Sequence, residues 1–279
     1  MIEDLLRAAI LGAVQGLTEF LPVSSTGHLI LAAHVLGIDE DEYGLPFDAA
    51  LHLGTLLALL SFFGATWVRL GRAGVRSLAS RSLADDDARL AWLIVAGTVP
   101  AAVIGFALEG AIEERLRSPL LVGIMLIAFS AVMVAAERYG RQRREMADVR
   151  LFDALSVGFA QALALVPGVS RSGATISAGL VRDLERREAA TFAFLLSAPV
   201  IAGAGGLQLV RVIGRFTDGT YTGEDLAFFA TGFVTAAVVG YAAIAFLMRY
   251  LARHSMMAFV WYRVALGIVV IGVIAAAGA

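Results

Sequence analysis

The chain has 279 residues, of which 59% are hydrophobic and only 16% are charged, and its mean hydropathy is +0.79. A soluble domain carries about a quarter charged residues, so this composition excludes an ordinary soluble, disordered or collagen-like protein. The net charge is −2 and there is no basic tract, so nucleic acid is not expected as a partner. The chain has no cysteine, which excludes disulfides, thiolate metal sites and a cysteine nucleophile.

Uncharged stretches long enough to cross the hydrocarbon layer of a bilayer recur along the chain. We expect five such spans and a sixth that only Arg263 interrupts. They cover 53–68 (extended upstream by 47–52), 90–108, 118–136, 189–210, 226–248 and 256–279. Charged loops separate them at 69–89, 109–117, 137–153, 211–225 and 249–255. Arg263 lies about two turns from one end of its span, so its side chain is expected to snorkel to the interface.

Two further apolar segments, 5–37 and 151–182, are each interrupted near the middle by a polar stretch that contains proline and glycine. The interruptions are 21–27 and 167–173. Proline removes a backbone donor and glycine loosens a helix, so the chain should turn at each of these points. We therefore expect two re-entrant helical hairpins, and a kinked full span is the alternative for each.

The two interrupted segments are copies of each other, offset by 146 residues. The offset pairs identical residues: Gly12 with Gly158, Gln15 with Gln161, Ser24 with Ser170 and Gly27 with Gly173. Three predicted spans lie between the copies, and because that number is odd, the second copy must start on the opposite face of the membrane. The sequence thus predicts an all-α integral membrane protein with six transmembrane helices and two re-entrant hairpins in an inverted-topology repeat. It forms one membrane domain over 1–279, with halves at about 1–137 and 150–279.

Arginine placement orients the predicted spans, because cytoplasmic loops carry an excess of basic residues. Six crossings put both termini on one face with 5 arginines, against 15 on the other face. The second face is therefore predicted to be cytoplasmic, so both termini lie outside the cell membrane, the first hairpin opens outward and the second opens inward. The five arginines are Arg7, Arg115, Arg117, Arg211 and Arg215.

The first interruption has the richest set of ionisable and hydroxyl groups within the apolar segments, where such groups are costly. Gln15 and Glu19 are four residues apart and therefore share one helix face. Three hydroxyl residues, 24–26, precede a second half-helix expected at 27–36. Hydroxyls beside the free N–H groups of a helix start form an anion site. Helix capping is the alternative role for these hydroxyls, but Glu19 and His28 flank them on either side.

The second interruption adds a cation, Arg171, within the hydroxyl-rich run 170–175. The planar guanidinium fork suits phosphate oxygens, although a simple pair with Glu19 would also account for it. The set suits phosphoryl transfer, in which the arginine and the helix starts hold phosphates and a hydroxyl or water attacks. Glu19 could bind a divalent metal or act as a base.

These residues carry a resemblance to a known family. Gln15-x-x-x-Glu19 with Phe20–His28, and Pro167–Thr175, resemble the two signature motifs of the undecaprenyl-pyrophosphate phosphatases of the bacitracin-resistance (BacA) family. The likeness runs over nearly the whole chain. It implies an integral-membrane hydrolase that removes the terminal phosphate from a polyprenyl pyrophosphate and returns the lipid carrier to cell-wall synthesis.

The resemblance also implies roles for the motif residues. Glu19 would be the essential carboxylate, Ser25 the nucleophile and Arg171 the phosphate clamp. His28 would be a general acid or base or, on the alternative assignment, the nucleophile. The substrate-binding residues implied are Gln15, Ser24, Thr26, Gly27, Gly168, Ser170, Ser172, Gly173 and Thr175. Because Gln15 stands where some members have glutamate, a divalent cation (Mg²⁺ or Ca²⁺) would rest mainly on Glu19 and substrate oxygens.

The expected partners are the polyprenyl pyrophosphate and the membrane, and a homodimer is left open. The competing function is a transporter or flippase of a phosphorylated lipid or solute, since inverted repeats with paired hairpins are a transporter design. Asp48 and His52 are expected to be interfacial polar residues, with a satellite metal or proton site as the alternative. Gln161 is expected to hydrogen-bond between helices.

Overall fold

The structure is a computed structural model that describes residues 2–37, 40–115 and 118–277. The regular elements in those ranges are all helices, with one short 3-10 turn at Met146–Asp148. The helices are α1 (Ile2–Phe20), α2 (Ser25–Leu36), α3 (Glu40–Phe62), α4 (Gly64–Ser80), α5 (Asp86–Arg115), α6 (Pro119–Tyr139), α7 (Leu151–Leu163), α8 (Arg171–Val181), α9 (Arg186–Thr217), α10 (Gly223–Leu251) and α11 (Met257–Ala277). Arg117 and residues 278–279, on which predictions were made, lie outside the described residues, and only the backbone of Arg115 is described.

Five of these helices, α5, α6, α9, α10 and α11, are long and apolar enough to cross a membrane. Each overlaps one of the five spans predicted from residue 90 onward. A sixth crossing is α3, when it is counted together with α4. The predicted fold class, an all-α integral membrane protein, is therefore confirmed in the described part of the chain.

The predicted first span, 53–68, is wrong in its C-terminal part. The chain bends by 80° between Pro46–Phe62 and Gly64–Ser80, so α3 and α4 do not form one straight helix. α4 is helical through residues 69–80, where a charged loop was predicted. Arg69, Arg72 and Arg76 recur every three or four residues on this helix, which makes it too polar on one side to continue into the hydrocarbon.

Both interrupted segments form helical hairpins: α1 and α2 pack together as hairpin 1, and α7 and α8 as hairpin 2. Their tips, which we define as residues 21–24 and 164–170, both end three residues earlier than the predicted interruptions, because α2 begins at Ser25 and α8 at Arg171. The residues before these helix starts, Ser24 and Ser170, have φ angles of 75° and 77°. Such angles are strained for a residue other than glycine, and both occur at equivalent positions of the repeat.

The two halves exchange their first hairpin helices. α1 packs on α10 of the second half, and α7 packs on α5 of the first half. A Cβ atom on Gly12 would lie 2.6 Å from the carbonyl oxygen of Gly232, and one on Gly158 would lie 2.1 Å from that of Gly97. Only glycine allows backbones to approach this closely, as in other membrane helix pairs. The glycines shared by the repeat therefore serve the same contact in each half.

A buried carboxylate anchors the open end of hairpin 2. Asp153, near the start of α7, is fully buried. Its oxygens accept hydrogen bonds from Arg144 Nη2 at 2.7 Å and from Arg182 Nε at 2.6 Å. Arg182 directly follows α8, so the carboxylate joins the two ends of the hairpin and holds its tip in register.

Candidate active site at the two hairpin tips

The carboxylate of Glu19, 5% exposed, lies between the two hairpin tips. Its Oε2 accepts hydrogen bonds from Ser25 Oγ at 2.6 Å and from Gln15 Nε2 at 3.0 Å. Its Oε1 forms an ion pair with Arg171 Nη2. His52 Nε2 lies 3.6 Å from Oε2. A buried carboxylate needs such partners, because an unpaired charge in a low-dielectric environment is strongly destabilising.

Local sequence explains how these groups converge. Gln15 and Glu19 are one helical turn apart on α1, so both side chains point to the same side. Ser25 and Arg171 are the first residues of α2 and α8 and are separated by the repeat offset of 146. The repeat therefore brings two helix starts, where backbone N–H groups lack partners from a preceding turn of helix, to the same carboxylate.

Direct hydrogen bonds join the two tips. Ser24 Oγ accepts a hydrogen bond from the backbone N–H of Gly168 at 3.1 Å. In the opposite direction, Ser172 Oγ donates to the carbonyl oxygen of Leu21 at 2.9 Å. The Ser170 hydroxyl caps α8 by accepting from Gly173 N at 3.1 Å. All three hydroxyls therefore make bonds within the protein, and of these three it is Ser170 that caps a helix, whereas capping was the alternative for residues 24–26.

Arg263 lies behind the tips, and the prediction that it snorkels to the interface is wrong. The residue is 0% exposed. Nη2 donates to the carbonyl oxygen of Gly168 at 2.8 Å, and Nη1 donates to that of Pro22 at 3.4 Å. Two groups of α6, Ser130 Oγ at 3.2 Å and the Met125 carbonyl at 3.4 Å, accept from the same guanidinium. Pro22 and Gly168 are equivalent positions of the repeat, so one side chain bridges both breaks.

A cavity of about 320 Å³ opens in front of the tips. Its polar lining residues are Ser24, Ser25, Thr26, Asp48, His52, Gln161, Ser170, Arg171 and Gln208. Apolar residues of α3, α5, α9 and the second hairpin tip form the rest of its wall. The cavity therefore combines a small polar end with an apolar side, as an amphiphile with an anionic head would require.

His52 belongs to this site, rather than to the membrane interface as expected. Its Nδ1 lies 2.7 Å from the carbonyl oxygen of Asp48. A carbonyl can only accept, so Nδ1 carries a proton and Nε2 faces Glu19. The i, i+4 pairing of Asp48 with His52 was the one sequence signal for this histidine.

His28 is not brought to the carboxylate. Its Nδ1 lies 2.7 Å from the Ser24 carbonyl oxygen, its Nε2 lies 2.7 Å from Tyr262 Oη, and its ring stacks on Tyr262. It is not part of the cavity lining. The role predicted for His28 remains a prediction, and in this structure both of its ring nitrogens have partners elsewhere.

The remaining predicted substrate-binding residues fall into two groups. Ser24, Thr26 and Ser170 line the cavity. The others lie behind it: Thr175 is fully buried and donates to the Arg171 carbonyl at 2.7 Å. A Cβ on Gly27 would lie 2.8 Å from Val122, and one on Gly168 would lie 2.7 Å from the Val122 carbonyl. These two glycines therefore allow α6 to approach the tips.

Two equivalent glutamines have unsatisfied polar atoms. Gln15 Oε1 and Gln161 Nε2 are buried without a hydrogen-bond partner. Gln161 is also a cavity-lining residue and accepts from Ser197 Oγ on α9 at 3.0 Å, which confirms the predicted bond between helices. Buried polar atoms normally have partners, so Gln161 Nε2, on a residue that lines the cavity, is a donor to which a bound molecule could hydrogen-bond.

These helices and this buried polar cluster define a multi-pass integral membrane protein with a polar site between two re-entrant hairpins. The sequence profile described as "Bacitracin resistance protein BacA" matches residues 8–269. The chain belongs to this family. It is 51% identical to the undecaprenyl-diphosphatase of Rubrobacter xylanophilus over 96% of this chain and 97% of that protein. It is 46% identical to the protein of the same name from Desulforudis audaxviator, over 94% of this chain and 95% of that protein. It is also 46% identical to the one from Pelobacter propionicus, over 97% of each chain.

Proposed function

We propose that this chain is an undecaprenyl-diphosphatase, which hydrolyses undecaprenyl pyrophosphate to the monophosphate and inorganic phosphate. Relatives of that name match nearly the whole chain. The observation that carries the assignment to this site is the Ser25 hydroxyl, which donates to a buried carboxylate at 2.6 Å in a cavity that Arg171 also lines. A nucleophile that is hydrogen-bonded to a base and lies beside a positively charged side chain is the arrangement that phosphoryl transfer requires.

In the proposed first step, Ser25 Oγ attacks the terminal phosphorus while Glu19 takes the hydroxyl proton. The bond between that phosphorus and the bridging oxygen breaks, and its electron pair leaves with the lipid monophosphate. Arg171 uses one nitrogen on Glu19, and its other N–H groups have no partner among the described residues. They can therefore hold the terminal phosphate, whose charge changes as the bond breaks.

In the second step, water attacks the phosphoserine. Glu19, having lost its proton to solvent, accepts a proton from the water and returns one to Ser25 Oγ as the phosphorus–oxygen bond breaks. Inorganic phosphate leaves and the serine is restored. His28 is the alternative nucleophile, but Ser25 is favoured because it lines the cavity and contacts the carboxylate.

A divalent cation, Mg²⁺ or Ca²⁺, is part of the proposal only as an ion bound to the phosphate groups of the substrate. The described residues contain no cluster of three His, Cys, Asp or Glu side chains that could hold a metal. Both Glu19 oxygens already accept from protein donors, so these residues do not fit a resident metal ion. A cation would arrive on the phosphate oxygens, and no step above depends on it.

The proposal includes an orientation: the cell membrane, both termini outside, and an active site that opens to the outer face. The 5-to-15 split of arginines supports it. Single cysteines at Thr220 and Arg141 of this cysteine-free chain should then react with an impermeant maleimide from opposite faces. A homodimer is a separate proposal, which subunit counting by photobleaching in bilayers would test.

Phosphate release from a short, water-soluble prenyl pyrophosphate by the purified protein in detergent tests the function. A detergent micelle has no second compartment, so transport cannot account for released phosphate. We expect turnover that a chelator reduces if a cation accompanies the substrate. Binding of the pyrophosphate without phosphate release would favour the transporter or flippase instead.

A further inference from the structure

Helix α4 has a buried face, which holds it against α5. Leu70, Ala73 and Ser77, spaced by three and four residues, are 2%, 5% and 6% exposed. Trp92 Nε1 on α5 donates to Ser77 Oγ at 2.9 Å. α4 is thus a fixed element of the fold and has a defined orientation about its own axis.

A second face of α4 is apolar and uncovered. Val68, Val75 and Leu78 are 52%, 70% and 65% exposed and lie on one side of the helix, away from the buried face. An exposed apolar face on a helix next to a membrane span is covered most simply by the bilayer itself.

The third face is basic. Arg69, Arg72 and Arg76 follow one another at helical spacing, and α4 contains no acidic residue. Arg69 pairs with Asp87 at 2.8 Å, whereas the side chains of Arg72 and Arg76 have no hydrogen-bond or ion-pair partner among the described residues. All three border a cavity of about 460 Å³ beside the start of α5, where the two carboxylates in the lining are those of Asp85 and Asp87, the partner of Arg69.

We propose that α4 lies in the plane of the membrane interface and that Arg72 and Arg76 bind the phosphate head groups of anionic phospholipids. The chain bends by 80° between Pro46–Phe62 and Gly64–Ser80, so with α3 placed along the membrane normal α4 lies close to parallel with the membrane surface. Its apolar face then enters the bilayer at head-group depth, and its basic face meets the lipid phosphates. The arginine-rich face of the protein is the proposed cytoplasmic one, where anionic lipids concentrate. This site is separate from the hairpin tips.

The test uses a single cysteine at Leu78, carrying a fluorophore, with Ser82 beyond the end of α4 as the control position. The protein is reconstituted into two preparations of phosphatidylcholine vesicles. One contains a small fraction of spin-labelled phosphatidylglycerol, and the other contains the same fraction of spin-labelled phosphatidylcholine. We expect quenching at position 78 and little at position 82. The anionic label should quench roughly 3- to 5-fold more strongly than the zwitterionic label, and salt should reduce that preference.

Matched double variants decide whether the basic face of α4 causes the preference for the anionic lipid. Arg72→Gln with Arg76→Gln should bring the ratio of the two quenchers close to one. Arg141→Gln with Arg143→Gln removes the same charge from the exposed loop after α6 and should leave the ratio unchanged. Three results would overturn the proposal: no quenching at position 78, equal quenching by both lipids in the unmodified chain, or the same change in ratio for both double variants.

Discussion

Ser25 and Arg171 occupy equivalent positions of the two hairpins, and both side chains donate to the carboxylate of Glu19. One copy of the repeat therefore supplies a hydroxyl and the other a cation at the same helix position. The position equivalent to Glu19 in hairpin 2 is Leu165, so the carboxylate exists only once. The backbone repeats while the side chains differ, so the two hairpins together supply one hydroxyl, one carboxylate and one guanidinium at this site.

Ser25→Ala should separate chemistry from binding. If Ser25 is the nucleophile, it forms its bond only in the transition state, so kcat should fall by about three orders of magnitude or more while substrate affinity changes little. The measurement is phosphate release together with equilibrium binding of a polyprenyl pyrophosphate. Thr26→Ala, in the adjacent cavity-lining position, is the matched control and should lower kcat much less. A near-normal kcat for Ser25→Ala would reduce this serine to a helix-capping role.

His52→Gln should reduce turnover more than His28→Gln. His52 Nε2 lies 3.6 Å from the Glu19 carboxylate and lines the cavity, whereas His28 is bonded to Ser24 and Tyr262. We expect a loss in kcat of about tenfold or more for His52→Gln, because it removes a positioned proton-carrying group. Steady-state kinetics of both variants make the comparison. A larger loss for His28→Gln would return that residue to the catalytic role implied by the family resemblance.

Arg263→Lys should lower kcat without a comparable change in KM. Lysine keeps the charge but cannot reach the carbonyls of both Pro22 and Gly168 along with Ser130, so the tips lose their common donor. A misplacement of about 1 Å between Ser25 and Arg171 is enough to cost roughly 100-fold in rate. Arg253→Lys, at an exposed position, is the control. Thermal unfolding in detergent checks that the variant is folded, and an unchanged kcat in a folded variant would rule out the positioning role.

Gly158→Ala should destabilise the protein, and Gly203→Ala should not. A Cβ at Gly158 would lie 2.1 Å from the Gly97 carbonyl oxygen, so α7 and α5 would have to separate, whereas Gly203 has nothing within 4 Å. Overpacking of this kind costs about 1–3 kcal/mol or more. Unfolding midpoints in the same detergent compare the two variants. Equal midpoints would mean that the close contact between the halves contributes nothing to stability.

Much of the fold follows from local sequence. The paired Gly, Gln and Ser positions at one offset predict a repeat, and proline and glycine between short apolar halves predict hairpins. Helix starts with hydroxyls and an arginine predict an anion site. Each of these patterns has a known physical cause that acts over a few residues. Together they predict that Glu19, Ser25 and Arg171 lie at one site.

The features that sequence reasoning missed depend on tertiary contacts. Nothing near Arg263 in the chain indicates that carbonyls from residues 22 and 168 surround it, so snorkelling was the expected outcome. His52 is 33 residues from Glu19 in the chain and meets it only because α3 packs against α1. The bend at residue 63 separates α3 from the amphipathic helix α4. The prediction relied on uncharged stretches, so it assigned residues 64–68 to a span and residues 69–80 to a loop.

The most direct test of the central claim is hydrolysis of undecaprenyl pyrophosphate by the purified protein in lipid nanodiscs, with both products quantified. The unmodified chain should release phosphate and undecaprenyl monophosphate in equal amounts. Glu19→Gln should abolish release, since it removes the proposed base and the partner of Arg171, whereas Gln15→Ala should only weaken it. Near-normal turnover by Glu19→Gln, or no release by the unmodified chain, would contradict the account.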